Sequence, residues 1–196
     1  MTAEQSLAAV VARGGVAVFA ADTVYGLCAD AQNAAAVERL LMLKRRPPGK
    51  PAALAFCSPE AALAALPELG ERTRAALCAL LPGPLTLLLP NPAGRFPLAG
   101  GELLGVRVID VGLEPDRPVV QTSANLAGGP EPRTVEEVPA QIRDAVDLVL
   151  DRGELPGTPS TIVDLGALET TGRWRILREG ACMRAEIERA LVGSRV

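Results

Sequence analysis

Short runs of apolar residues recur along the chain and are separated by turns rich in glycine and proline. Runs of this length, rich in Val, Leu, Ile and Phe, are typical of buried β-strands. We therefore predict strands at residues 16–19, 53–57, 85–89, 104–109, 119–120, 147–150, 160–164 and 174–178.

Between these runs, apolar residues return at intervals of three and four, which is the spacing of one helix face. Capping residues and breakers predict helices that begin near residues 2, 33 and 58, and helices over about 71–80, 134–144 and 184–191. Strands and helices do not alternate strictly. The pattern thus predicts an α/β or α+β fold, a mixed sheet with flanking helices. With no repeat or linker visible, we expect residues 1–196 to form a single domain.

Composition excludes several functional classes. The net charge of −3 and the aromatic content of 3% disfavour a protein that coats nucleic acid or stacks its bases. The four cysteines form no Cys-x-x-Cys pair and the chain contains no histidine, so we expect neither a structural zinc site nor a Cys–His catalytic pair, and we predict no metal-ligating residues. The N-terminus does not resemble a secretory signal, and the longest apolar stretch is interrupted by prolines. We therefore predict a cytoplasmic protein without a membrane span.

A polar stretch at residues 20–27 directly follows the first predicted strand. Asp22, Thr23 and Tyr25 place a carboxylate, a hydroxyl and a phenol within this short segment. Ligands in α/β proteins gather where strands end and loops begin. A solvated turn explains the same residues equally well, so the stretch alone leaves both interpretations open.

Three further segments carry candidate chemistry. Lys44, Arg46 and Lys50 lie in a proline-stiffened loop after the second helix, which suits either a phosphate clamp or a solvated helix end. Arg107 lies in the middle of an apolar strand and needs an anionic partner, either an internal carboxylate or one on a ligand. Residues 121–130 form a loop of small polar donors that could surround a phosphate.

These segments, taken in order, resemble the YrdC-like family of threonylcarbamoyl-adenylate synthases. The matching pieces span nearly the whole chain: DTVYGL at 22–27, KxRP at 44–47, PGPLT at 82–86, GVRV at 105–108, TSAN at 122–125, PSTIVD at 159–164 and ILRxGA at 176–181. The resemblance implies a twisted mixed sheet with a concave, positively lined cavity. It also implies a reaction in which L-threonine, bicarbonate and ATP give threonylcarbamoyl-AMP and pyrophosphate.

The resemblance also implies roles for individual residues. Lys44 and Arg46 are expected to be catalytic and to bind ATP, together with Lys50, Ser123, Asn125 and Arg178. Thr23, Arg107 and Ser160 are expected to bind threonine, and Tyr25 is expected to form a wall of the pocket. Mg²⁺ is expected to accompany ATP, held mainly by phosphates and waters. The product would serve the tRNA threonylcarbamoyladenosine modification, so tRNA or tRNA-modifying enzymes are candidate partners.

One alternative keeps the same cavity and changes its use. A non-catalytic or re-tuned paralogue could bind RNA or a nucleotide there, because a cluster of Lys44, Arg46, Arg107 and Arg178 would also attract a phosphate backbone. The net charge and the scarcity of aromatic residues disfavour RNA binding.

Overall fold

The computed structural model describes residues 3–46 and 51–193. The helices are α1 (Ala3–Ala12), α2 (Ala34–Leu43), α3 (Pro59–Ala65), α4 (Glu71–Leu80), α5 (Ala140–Arg143), α6 (Leu168–Thr171) and α7 (Arg184–Gly193). The strands are β1 (Ala17–Ala20), β2 (Tyr25–Asp30), β3 (Ala53–Phe56), β4 (Leu85–Pro90), β5 (Leu103–Val108), β6 (Val119–Ser123), β7 (Leu148–Leu150), β8 (Thr161–Asp164) and β9 (Arg175–Arg178).

All nine strands that this part of the chain contains join one sheet in the order β7-β1-β2-β6-β3-β5-β4-β8-β9. Three neighbouring pairs run parallel, namely β1 with β7, β3 with β5 and β4 with β8, and the other pairs run antiparallel. The predicted mixed sheet with flanking helices is thereby confirmed. In the described ranges, no helix is long and apolar enough to cross a membrane.

Strand β2 was not predicted, because residues 20–27 were interpreted as a loop. The structure instead folds Tyr25–Asp30 back antiparallel onto β1, with Ala20 opposite Tyr25. Every residue of β1 and β2 is buried, since α1 packs on one face of this hairpin and α2 on the other. A strand buried on both faces shows no alternation of polar and apolar residues. The sequence pattern of β2 therefore gave no strand signal.

The predicted helix over 134–144 was also too long, since only Ala140–Arg143 is helical. Pro139 stands at its N-cap and cannot continue a helix from the preceding residues. The strand predicted at 119–120 was too short, since β6 extends to Ser123 and takes in the first residues of the predicted loop at 121–130. The remaining predicted strands form within one or two residues of their expected bounds.

Strand β5 shows how the sheet separates core from cavity. Leu104, Val106 and Val108 face the main apolar core, whereas Gly105 and Arg107 point to the opposite face. A side-chain carbon at Gly105 would lie 3.4 Å from Thr86 and 3.6 Å from the side chain of Ala53. Because the residues at these positions have small side chains, they leave space above the strands, and this face of the sheet is concave.

Candidate active site

A cavity of about 1100 Å³ opens on this face of the sheet. Its floor comes from β3, β4, β5 and β6, and its walls come from the loops before β2 and β8 and after α2. Six of the residues predicted from the sequence line this one cavity: Thr23, Arg46, Arg107, Ser123, Ser160 and Arg178.

Arg107 and Thr23 both line the cavity and are almost fully buried, with 4% and 1% of their surfaces exposed. Arg107 Nη2 donates to Asp22 Oδ1 at 2.5 Å, so the internal partner considered for this arginine exists. Arg107 Nε and Thr23 Oγ1 are nevertheless buried without a hydrogen-bond partner in the described structure. Buried polar groups are rarely left unpaired. These two atoms therefore mark a place that a polar ligand group would complete.

Ser160 and Arg178 form a second group where β8 begins and β9 ends. Arg178 Nη2 and Nε donate to the Ser160 carbonyl oxygen at 2.8 and 3.2 Å. Ser160 Oγ lies 2.9 Å from Thr86 Oγ1, which sits on β4. The guanidinium is held in place while 41% of the Arg178 side chain stays exposed toward the cavity side. It can therefore still meet an anionic ligand.

Arg46 reaches the cavity from the loop after α2. Its Nη1 donates to Thr122 Oγ1 at 3.2 Å, and its Nη2 donates to the Pro51 carbonyl oxygen. Burial lowers the pKa of this guanidinium from its ordinary value. A cation that is partly stripped of water in this way interacts more strongly with an incoming anion.

Lys44 occupies a different position from Arg46. It is 3% exposed and does not line the cavity. Its Nζ lies 2.6 Å from Ser123 O, 3.3 Å from Ser123 Oγ, 2.9 Å from Asn125 O and 2.6 Å from Asn125 Oδ1. The ammonium therefore holds the 123–125 loop together from behind. Burial, followed by the nearby charge of Arg46, lowers the pKa of Lys44 to about 8, while Glu131 acts in the opposite direction.

Asn125 and Tyr25 also lie outside the cavity lining. Asn125 Nδ2 donates to Gly129 O at 2.5 Å, which closes the same loop. The Tyr25 ring is fully buried, and its Oη lies 2.7 Å from Asp151 Oδ1 and 2.8 Å from Gly153 O. The expected pocket wall is thus a core residue, because its hydroxyl is engaged by the segment that follows β7. Lys50 lies outside the described residues.

Glu131 lines the cavity but was not found from the sequence. Its Oε1 lies 3.7 Å from Arg178 Nη1, while its Oε2 is buried without a hydrogen-bond partner among the described residues. A single acid between two prolines is typical of a solvated loop, so only the fold could reveal it. Gln121 and Thr122 of β6 line the cavity too and were predicted only as part of a polar loop.

The fold and site thus define an α/β protein with a mixed sheet and an arginine-lined ligand cavity. The model of the Sua5/YciO/YrdC family, described as "Telomere recombination", matches residues 9–180. The chain therefore belongs to this family. A threonylcarbamoyl-AMP synthase of Chromohalobacter salexigens is 38% identical over 184 residues, which cover 88% of this chain and 98% of the relative.

Solved structures agree with this assignment. Sua5 of Pyrococcus abyssi complexed with L-threonine superposes with a TM-score of 0.79 at 28% identity, over 95% of this chain and 56% of that chain. YciO of Escherichia coli has a TM-score of 0.76 over 94% of this chain and 92% of that one. Its identity of 23% supports the fold alone.

Proposed function

We propose that this chain is a threonylcarbamoyl-AMP synthase, which converts L-threonine, bicarbonate and ATP into threonylcarbamoyl-AMP and pyrophosphate. The observation that carries the proposal is one cavity with two kinds of binding group. One kind is the unpaired polar atoms of Thr23 and Arg107, and the other is the cationic side chains of Arg46 and Arg178 on the same lining. The name of the Chromohalobacter salexigens relative supports the same activity.

The threonine end follows from hydrogen-bond chemistry. The carboxylate of threonine would accept from Arg107 Nε, which has no partner among the described residues, and Thr23 Oγ1 would pair with a second polar group of the substrate. Ser160 Oγ, already close to Thr86, would help to position the amino acid. The L-threonine bound to Pyrococcus abyssi Sua5 supports this assignment.

The ATP end follows from charge. Arg46 and Arg178 would bind the triphosphate, and Ser123 would contact it from the loop that Lys44 and Asn125 organise. We propose that Lys44 acts on ATP chiefly by fixing this loop, because its ammonium already faces four loop oxygens. A direct contact between Lys44, or Lys50, and a phosphate remains a prediction.

The chemical step needs positioning more than it needs a protein nucleophile. The threonine amine and bicarbonate first form N-carboxy-threonine with loss of one water. A carbamate oxygen then attacks the α-phosphate, and pyrophosphate leaves with the bonding electrons. The arginines stabilise the negative charge that spreads over the phosphates. Mg²⁺, when bound with ATP, would offset charge on the leaving pyrophosphate. The unpaired carboxylate oxygen of Glu131 is a group of suitable chemistry to meet such a cation.

The direct test is release of pyrophosphate by the pure protein with ATP, Mg²⁺, threonine and bicarbonate. We expect release that requires both threonine and bicarbonate. Release without them, or no release together with salt-sensitive tRNA binding, would favour the alternative of an RNA- or nucleotide-binding paralogue. We further propose that the adenylate is passed to tRNA-modifying enzymes in the cytoplasm.

A further inference from the structure

We propose that Glu131 is a ligand of the divalent cation that enters the cavity with ATP. The inference rests on the proposed function, because it requires that ATP binds in this cavity. It concerns a carboxylate that lies outside the seven short motifs that carry the family resemblance, although within the region that the family model matches.

The Glu131 side chain is only partly paired in the folded protein. Oε2 is buried and has no hydrogen-bond partner in the described part of the chain, and Oε1 has Arg178 Nη1 at 3.7 Å. An ionised carboxylate oxygen without a donor is costly when it is buried. Since Glu131 lines the cavity, the missing partner can arrive with the ligand.

The loop that carries Glu131 has little backbone freedom. Pro130 and Pro132 flank it and restrict the backbone on both sides. The Pro132 carbonyl oxygen accepts from Tyr25 N at 2.9 Å, and the Gly129 carbonyl oxygen accepts from Asn125 Nδ2 at 2.5 Å. The backbone that carries the carboxylate is thus held at a fixed place beside the cavity, which limits where the side chain can reach and favours its use as a metal ligand.

The charge of Glu131 and the charge of the triphosphate have the same sign. A carboxylate beside a cavity that receives a triphosphate repels the phosphates unless a cation lies between them. Mg²⁺ in nucleotide sites is typically held by one or two carboxylates together with phosphates and waters. In the described ranges, no group of three or more His, Cys, Asp or Glu residues could hold a metal ion. The cation would therefore bind only together with the nucleotide.

A simpler role for Glu131 is to hold Arg178 by ion pairing. The two roles predict effects of opposite sign on metal-free binding. If Glu131 only positions Arg178, removal of its charge weakens nucleotide binding with or without metal. If Glu131 is a metal ligand, removal of its charge weakens binding with Mg²⁺ and strengthens binding without it, because a repulsive charge has been lost.

The test uses a non-hydrolysable ATP analogue and calorimetry on the full chain, once with excess Mg²⁺ and once with EDTA. Glu131→Gln keeps the shape of the side chain and removes its charge. We expect this variant to bind the analogue at least about tenfold more weakly with Mg²⁺, the lower end of losses from disturbed metal sites. Without metal it should bind more tightly than the wild type. Changes in the same direction under both conditions, or no change with Mg²⁺, would overturn the proposal.

Glu102→Gln is the matched control, because Glu102 also lines the cavity but lies exposed at its rim. This control should not show weaker binding of the analogue with Mg²⁺ together with tighter binding without metal. A second readout is Mn²⁺ bound in the presence of the analogue, measured by electron paramagnetic resonance. Glu131→Gln should release Mn²⁺ that the wild type and Glu102→Gln retain, and equal retention by all three would contradict the assignment.

Wild-type binding separates the two proposals. If the wild type does not bind the analogue at all, either with Mg²⁺ or with EDTA, the proposed function fails and this inference fails with it. If the wild type binds the analogue with Mg²⁺ and Glu131→Gln behaves identically, only the metal-ligand assignment is overturned.

Discussion

Unpaired buried side-chain atoms are concentrated at the cavity. Among the described residues there are four such atoms: Thr23 Oγ1, Arg107 Nε, Glu131 Oε2 and Arg117 Nε. Three of the four belong to residues that line the cavity. Leaving a buried polar atom unpaired lowers stability, so a site that collects several of them is stabilised when a ligand pairs them.

Thr23 allows this principle to be tested at one hydroxyl. Thr23→Val removes an unpaired group and keeps the shape, so we expect a melting temperature no lower than that of the wild type. Threonine should bind about two- to tenfold more weakly, the loss expected for one hydrogen bond of about 0.5–1.5 kcal/mol. Calorimetric titration with threonine and a thermal melt measure the two effects.

Thr73→Val provides the opposite control. Thr73 is equally buried, but its Oγ1 donates to Glu169 Oε2 at 3.2 Å, far from the cavity. This variant should lose about 1 kcal/mol of stability and leave threonine binding unchanged. If Thr23→Val instead loses stability without losing threonine affinity, Thr23 is a structural residue.

Lys44 predicts a pH dependence of stability. Its pKa is about 8 in the folded protein and 10.5 ordinarily, so the unfolded chain binds more protons between these values. The contribution of Lys44 to the free energy of unfolding therefore increases as the pH rises from about 8 to 10.5. Urea unfolding of the wild type and Lys44→Met should show the difference moving in favour of the wild type over this range. A difference that stays constant with pH would show that the Lys44 pKa is not lowered.

At the scale of elements, Tyr25 joins β2 to the segment after β7. Its Oη accepts from Arg152 N at 3.0 Å and has one proton to donate to either Asp151 Oδ1 or Gly153 O. We expect Tyr25→Phe to lose about 0.5–1.5 kcal/mol of stability, the net contribution of a hydrogen bond, because Asp151, Arg152 and Gly153 are exposed and water can replace the lost hydroxyl. Amide hydrogen exchange should become faster in residues 151–153. Unchanged protection there would show that the hydroxyl does not hold this segment.

The elements that the sequence predicted are those with a clear pattern. Strands β4, β5 and β8 are apolar runs bounded by turns, and α4 has regular helical spacing, so local residues determine them. Strand β2 was missed because α1 and α2 cover both of its faces, which removes any alternation. The helix near residue 140 was overextended because its acidic start resembles a capped first turn, while Pro139 limits the helix.

At the scale of the whole molecule, the site exists only through the order of the strands. Arg107 lies beside Ala55 on β3, Ser123 lies beside Gly26 on β2, and Thr86 lies beside Ile162 on β8. None of these neighbours is close in sequence, so no local pattern predicts the cavity. Local patterns marked Thr23, Arg46 and Arg107 as candidates, but only a resemblance that spans the chain assigned them to one site.

The tertiary fold also decides which candidate residues reach the cavity. The sequence resemblance gave Lys44 and Arg46 the same role because both belong to the KxRP motif at 44–47. The fold separates them, since Arg46 reaches the cavity while Lys44 turns under the 123–125 loop. Glu131 shows the converse, because only the packing of its loop against Tyr25 and beside Arg178 makes it part of the site.

The central claim is that one cavity joins threonine, bicarbonate and ATP. The most direct measurement is mass spectrometry of the nucleotide product formed with ¹³C-bicarbonate, threonine, ATP and Mg²⁺. We predict a threonylcarbamoyl-AMP that carries one ¹³C atom and forms in equal amount with pyrophosphate. Pyrophosphate without a labelled adenylate, or no labelled adenylate under any condition, would contradict the account.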